Sequence, residues 1–212
     1  MPSAEDLVAG LTAIANEWQP VATAWHVFLA VLLVSLYLGW RPSARLLTPM
    51  LLLPLVGVSV VASLSGNAFN ASIFAGLALI LGALASTRSD ATVKVAPTRL
   101  IVIGAGLVGF GATYPHFVDA GSWLAYAYVA PLGIVPCPTL AVIIGVSLML
   151  NGLGSPAWSG ILAAAGVFYA VVGVIWFEVM IDVVLLAGAL VLAAHAVTTH
   201  HGRLISAQPI AR

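Results

Sequence analysis

Three prolines fall within eight residues in Pro131-Leu132-Gly133-Ile134-Val135-Pro136-Cys137-Pro138, and Thr139 follows them. The surrounding residues are apolar for a long way on either side. A regular helix cannot run through this stretch. Pro136 and Pro138 lack an amide hydrogen and their rings clash with the preceding turn, which frees the carbonyls of Leu132 and Ile134. Each proline also disfavours helical geometry in the residue before it, so Val135 and Cys137 are expected to be extended. A new helix can begin at Pro138, with Cys137 just outside and Thr139 in its first turn. The amides after Thr139 would then lack partners within the helix and give it a partly positive start, suited to an anionic group or a water-lined path. Pro136, Cys137, Pro138 and Thr139, together with Tyr114 at the end of another apolar stretch, are therefore candidate substrate-binding residues. The competing reading is a proline kink whose backbone is satisfied by Thr139, neighbouring helices and water.

A second set of residues has the chemistry for metal binding or proton relay. His116 and Asp119 follow Tyr114-Pro115, and Glu178 and Asp182 lie between the last two apolar stretches. Imidazole titrates near neutrality and carboxylates supply oxygen ligands, so these four could hold a divalent cation if the fold brings them together. Otherwise they are hydrated side chains at helix ends. His195, His200 and His201 have spacings that do not place all three on one helical face. A single cysteine, Cys137, excludes an internal disulfide and any multi-cysteine metal site. There is no nucleotide-binding loop, no nucleophile elbow and no lysine inside an apolar stretch. No catalytic residue and no cofactor is identified, and the sequence favours a protein that is not an enzyme.

The elements that must position these residues are helices in lipid. The chain has 212 residues, 62% hydrophobic and 7% charged, and its net charge is zero. A soluble domain carries roughly a quarter of its residues as charges, and too few polar residues are present here to cover a water-facing surface. The neutral balance also excludes the basic field that nucleic-acid binding needs. The composition thus predicts an all-α, polytopic membrane helix bundle in one domain over 1–212.

About 20 apolar residues in a helix cover a hydrocarbon core about 30 Å thick, and seven stretches qualify, at approximately 21–40, 46–64, 70–87, 99–114, 124–150, 157–177 and 181–199. The fifth is too long for one upright span, so part of 122–133 is expected along the membrane surface. If the first span starts outside, then Arg41, Arg45, Arg88, Lys94, Arg99, Arg203 and Arg212 all fall on the cytoplasmic side. The amino terminus is then outside and the carboxyl terminus cytoplasmic, with Glu5, Asp6, Glu17, Asp119, Glu178 and Asp182 at the outer ends. Leu7, Leu11, Ile14 and Trp18 recur at helical spacing and predict a short interfacial helix over 4–18. Met1 to Gln19 carries no Lys or Arg, so removal of a secretory leader is not expected. Glycines inside the spans, among them Gly76, Gly82, Gly104, Gly106, Gly109, Gly111, Gly160, Gly166, Gly173 and Gly188, would let helices approach closely.

The pattern resembles an uncharacterised family of bacterial multi-spanning membrane proteins of about this length. The residues that carry the resemblance are Asn16 with Trp18-Gln19-Pro20, Arg41-Pro42-Ser43, Phe69-Asn70-Ala71, Tyr114-Pro115, Asp182 and above all Pro136-Cys137-Pro138-Thr139. The chain departs from that family at 60–68, where aromatic residues and a histidine would be expected, and around 119–128, where a His-Arg-Tyr-Pro stretch is absent. The family has no assigned activity, so the resemblance implies a topology and marks 136–139 without implying a substrate. The expectation is a multi-pass protein of the plasma membrane, or of the inner membrane if bacterial. It would bind or translocate a small solute or ion at the broken fifth helix. Two alternatives stand beside this: a structural or accessory subunit packing against membrane-protein partners or further copies of itself, and a membrane metalloenzyme using His116, Asp119 and the nearby acids.

Overall fold

The computed structural model describes residues 3–87 and 90–206, all of it helix and connecting turns apart from one isolated bridge between Ser43 and Thr92. Arg88 and Arg212, two of the seven basic residues, lie outside the described residues. The nine α-helices among the described residues are α1 (Ala4–Glu17), α2 (Gln19–Tyr37), α3 (Ala44–Leu64), α4 (Ala68–Ser86), α5 (Thr98–Ala112), α6 (Tyr126–Val129), α7 (Pro136–Met149), α8 (Pro156–Trp176) and α9 (Val183–Ser206). Short 3₁₀ turns at Trp123–Ala125, Asn151–Gly154 and Met180–Asp182 join some of them.

Five of these segments, Gln19–Tyr37, Ala44–Leu64, Ala68–Ser86, Pro156–Trp176 and Met180–His201, are long and apolar enough to cross a membrane. By helix length and hydropathy the chain is a multi-pass helical membrane protein. Two apolar helices are shorter: α5 has 15 residues and α7 has 14. At 1.5 Å per residue α7 is about 21 Å long, against a hydrocarbon core of about 30 Å.

The connections gather at two ends of the bundle. At one end the turn after α2 meets the segment before α5, where the Ala44 amide donates to Ala91 and the Val93 amide to Pro42, and the Ala96 amide donates to the carbonyl of Met149 at the end of α7. Arg41, Arg45, Lys94 and Arg99 lie on or beside these connections, with an exposed Arg45–Asp90 ion pair at 3.7 Å. We refer to this as the basic end. At the other, acidic end, Asn16 of α1 binds the loop after α5, donating to the Phe117 carbonyl and accepting from the Asp119 amide. There too, His26 of α2 lies 2.9 Å from the carbonyl of Ala112, where α5 ends.

The centre of the bundle is α7. Every residue from Pro136 to Leu148 is buried, so this helix is hydrophobic all round and is wrapped by α3, α5, α8 and α9. Its tightest neighbour is α5. A side chain at Gly104 would collide with the carbonyl of Gly145, one at Gly145 with the carbonyl of Gly104, and one at Gly111 with the carbonyl of Pro138. Gly104 and Gly111, seven apart on α5, and Gly145 on α7 thus bring the two backbones into contact, which is how helices associate when lipid supplies no hydrophobic force between them.

The expectation that the glycines inside the spans serve close approach holds unevenly. Gly104, Gly111, Gly166, Gly173 and Gly188 face neighbouring atoms, Gly82 has only an ordinary contact, and Gly76, Gly106, Gly109 and Gly160 face open space. Which face of a helix turns inward depends on its partners, so the glycines alone could not separate these groups.

Gly145→Val should force α5 and α7 apart and lower stability by about 1–3 kcal/mol, the usual cost of overpacking. Gly106→Val, on the outward face of α5, should cost markedly less. Unfolding of both variants in detergent–lipid mixtures, compared with the wild type, measures the difference.

Candidate functional site

The fifth apolar stretch breaks where the prolines are, but the new helix starts two residues earlier than the sequence indicates. Val135 is extended (φ −109°, ψ 142°) as a residue before proline should be, and α7 begins at Pro136 with Cys137 already helical. The reason lies in the first turn. Amides there have no intrahelical acceptor, so proline at the first and third positions forfeits nothing, and the carbonyl four residues before Pro138 lies outside the helix. Two of the first-turn positions, Pro136 and Pro138, carry no amide hydrogen.

Between α6 and α7 the chain makes a buried reversal over residues 130–135. The Val135 amide donates to Pro131 at 3.0 Å and the Leu132 amide to Ala130 at 2.7 Å. Thr139 closes the turn: its hydroxyl accepts from the Gly133 amide at 2.8 Å and donates to the Val135 carbonyl at 2.7 Å. Gly133 has φ +70° and lies against the indole of Trp25, so neither the backbone angle nor the space admits a side chain. Thr139 therefore has the structural role, satisfying backbone at the break. Pro138 packs its carbonyl on Gly111.

Pro136 and Cys137 line a cavity of about 720 Å³ at the acidic end, within the range of small-molecule pockets. Its walls come from the start of α4, the carboxyl half of α8 and the face of α1 that carries Leu7 and Leu11. Asp182 also lines it, and although it belongs to the turn before α9 it is only 1% exposed. The Tyr114 hydroxyl donates to Asp182 Oδ1 at 2.7 Å, and the Cys137 thiol lies near the same carboxyl. Gly173 of α8 makes room for this carboxyl, since a side chain there would occupy the position of Asp182 Oδ2.

A second polar pair lines the cavity: the Tyr169 hydroxyl donates to Asn70 Oδ1 at 2.9 Å. The remaining lining is largely aromatic and aliphatic. Phe69 and Phe168 approach with ring centroids 6.4 Å apart, and Phe168 meets Tyr169 edge to face at 5.2 Å.

Tyr114, Cys137 and Asp182 were singled out in the sequence under two different chemistries, and the fold unites them at one carboxyl. Among the described residues no group of three or more His, Cys, Asp or Glu is arranged to hold a metal ion. His116 instead stacks edge-on against Phe117, 4.4 Å between centroids, and Asp119 is held through its amide by Asn16. Glu178 occupies a left-handed turn (φ +56°) between α8 and Asp182. Asn70, Tyr169 and Gly173 were missed as site residues. Tyrosine in the middle of an apolar helix was the available signal, because a buried phenol seeks a partner.

No protein-family model, characterised protein or solved structure matches the chain.

Thr139→Val should strand the Gly133 amide and the Val135 carbonyl and destabilise the protein by about 1–3 kcal/mol, whereas Thr139→Ser should retain most of the stability. Partial burial holds the His116 imidazole below its ordinary range. The unfolded chain then takes up that proton first as pH falls, so stability should decline through the ordinary histidine value of 6.5. His116→Asn should flatten this part of the pH dependence, read as the melting temperature between about pH 7.5 and 5.5.

Proposed function

We propose that the chain crosses the bilayer seven times, with α1 lying at the outer surface, and binds a small solute in the cavity at the head of α7, to hold it or to pass it across. The observation that carries the binding assignment is a cavity of about 720 Å³ whose lining combines apolar walls with a buried, hydrogen-bonded carboxyl. A carboxyl withdrawn from water at the end of a membrane bundle is costly and is functional by default.

Several features support the crossing count. The helices α2, α3, α4, α5, α7, α8 and α9 correspond to the seven apolar stretches. Connections carrying Arg41, Arg45, Lys94 and Arg99 gather at one end, which the charge rule assigns to the cytoplasm. The short α7 is compatible with a crossing because the non-helical turn above it is enclosed by protein, the condition under which irregular backbone is tolerated at membrane depth. Of the Pro136-Cys137-Pro138-Thr139 motif, Pro136 and Cys137 line the cavity.

The test is labelling of Cys137 in sealed cells or oriented vesicles with a small, charged thiol reagent that does not cross membranes. The expected result is reaction from the outer side, slowed when bulk is added at the cavity wall by Val172→Trp. Complete protection of the native protein, with full reaction after unfolding, would sink the proposal.

A further inference from the structure

We infer that the ligand of this cavity is an amphipathic cation, an organic amine whose protonated head binds Asp182 and whose apolar part occupies the aromatic cleft between α4 and α8. This deepens the proposed binding function and rests on it.

The first line of argument is charge. Asp182 is almost completely withdrawn from solvent, yet the group hydrogen-bonded to it, the Tyr114 hydroxyl, is a neutral donor. Among the described residues Asp182 forms no ion pair. The basic residues Arg41, Arg45, Lys94 and Arg99 lie on or beside connections at the opposite end of the bundle. A buried carboxylate without a cation is strongly disfavoured, and a bound cation removes that cost. The start of α7 adds little positive potential of its own, since Pro136 and Pro138 have no amide hydrogens. The site is thus selective in sign: an anionic ligand would meet a carboxyl and find few donors.

The second line is shape and chemistry of the walls. Beyond Asp182 the lining is predominantly apolar, with the Tyr169–Asn70 pair as the other polar point. An inorganic cation would need several oxygen ligands at short range, and the walls supply aromatic rings instead. Rings suit an organic cation, both as apolar surface and through attraction of positive charge to their faces. Phe69, Phe168 and Trp176 reach the protein surface, with Trp176 69% exposed. The cleft therefore opens sideways between α4 and α8, a route open to a molecule that partitions into the interfacial layer.

The experiment uses the full chain in nanodiscs of zwitterionic lipid, with empty nanodiscs as the reference, and isothermal titration of 4-phenylbutylamine against its neutral isostere 4-phenylbutanol. The amine should bind at least about tenfold more tightly than the alcohol, the weight of one charge-assisted hydrogen bond. Asp182→Asn should abolish the preference, and Phe168→Ala should weaken both ligands by a similar factor. Equal affinity of amine and alcohol in the wild type, with both lost in Phe168→Ala, would overturn the cation assignment and leave the cavity as a binding site. Failure of the wild type to bind either compound would overturn both. The amine-to-alcohol comparison needs no substitution, so it decides the question even if Asp182→Asn does not fold.

Discussion

A helix that begins in the middle of a bundle has to find partners for backbone groups that water cannot reach, and the arrangement around α7 answers that demand. The reversal over 130–135 bonds to itself through Pro131 and Ala130, and the Thr139 side chain serves one donor and one acceptor that remain. Gly133 permits the turn, and the Trp25 ring covers it. Because these groups are satisfied internally, α7 can stop short of the acidic end. The space above its first turn is then closed by other elements, α1 among them, and this is the cavity.

Backbone-to-backbone packing decides where the side chains around that cavity come to rest. Gly104, Gly111 and Gly145 draw α5 against α7, which carries Tyr114, just beyond the end of α5, to the first turn of α7. Gly173 plays the equivalent part on α8, leaving the volume that the Asp182 carboxyl fills. Tyr114, Cys137 and Asp182 come from three separate segments, and close approach of α5, α7 and α8 is the common reason that they meet.

The distribution of charge then gives the site its character. Among the described residues Arg41, Arg45, Lys94 and Arg99 gather at one end of the molecule and the buried carboxyl lies at the other, with the neutral Tyr114 hydroxyl as its hydrogen-bond donor. A carboxyl in that setting is poised to favour positive over negative ligands, and aromatic walls favour organic over inorganic ones. Both preferences follow from what surrounds Asp182 and not from the carboxyl itself, which at a hydrated helix end would be unremarkable.

The sequence by itself determined the helical class, the approximate position of each apolar helix and the existence of the break. These are consequences of local chemistry: hydropathy over about 20 residues, and proline's missing amide hydrogen and fixed ring. It misplaced the new helix start by two residues, because the propensity of Cys137 to be extended before Pro138 was weaker than the freedom of a first helical turn to accept prolines. Only the tertiary structure decided which polar residues share a site. His116, Asp119, Glu178 and Asp182 looked alike as acids and a histidine near helix ends, yet Asp182 turns inward onto Gly173 while His116 packs on Phe117. That choice depends on contacts between segments distant in the chain, such as the 68 residues separating Tyr114 from Asp182. Periodicity and composition carry no record of such contacts, since they describe each helix before it has neighbours.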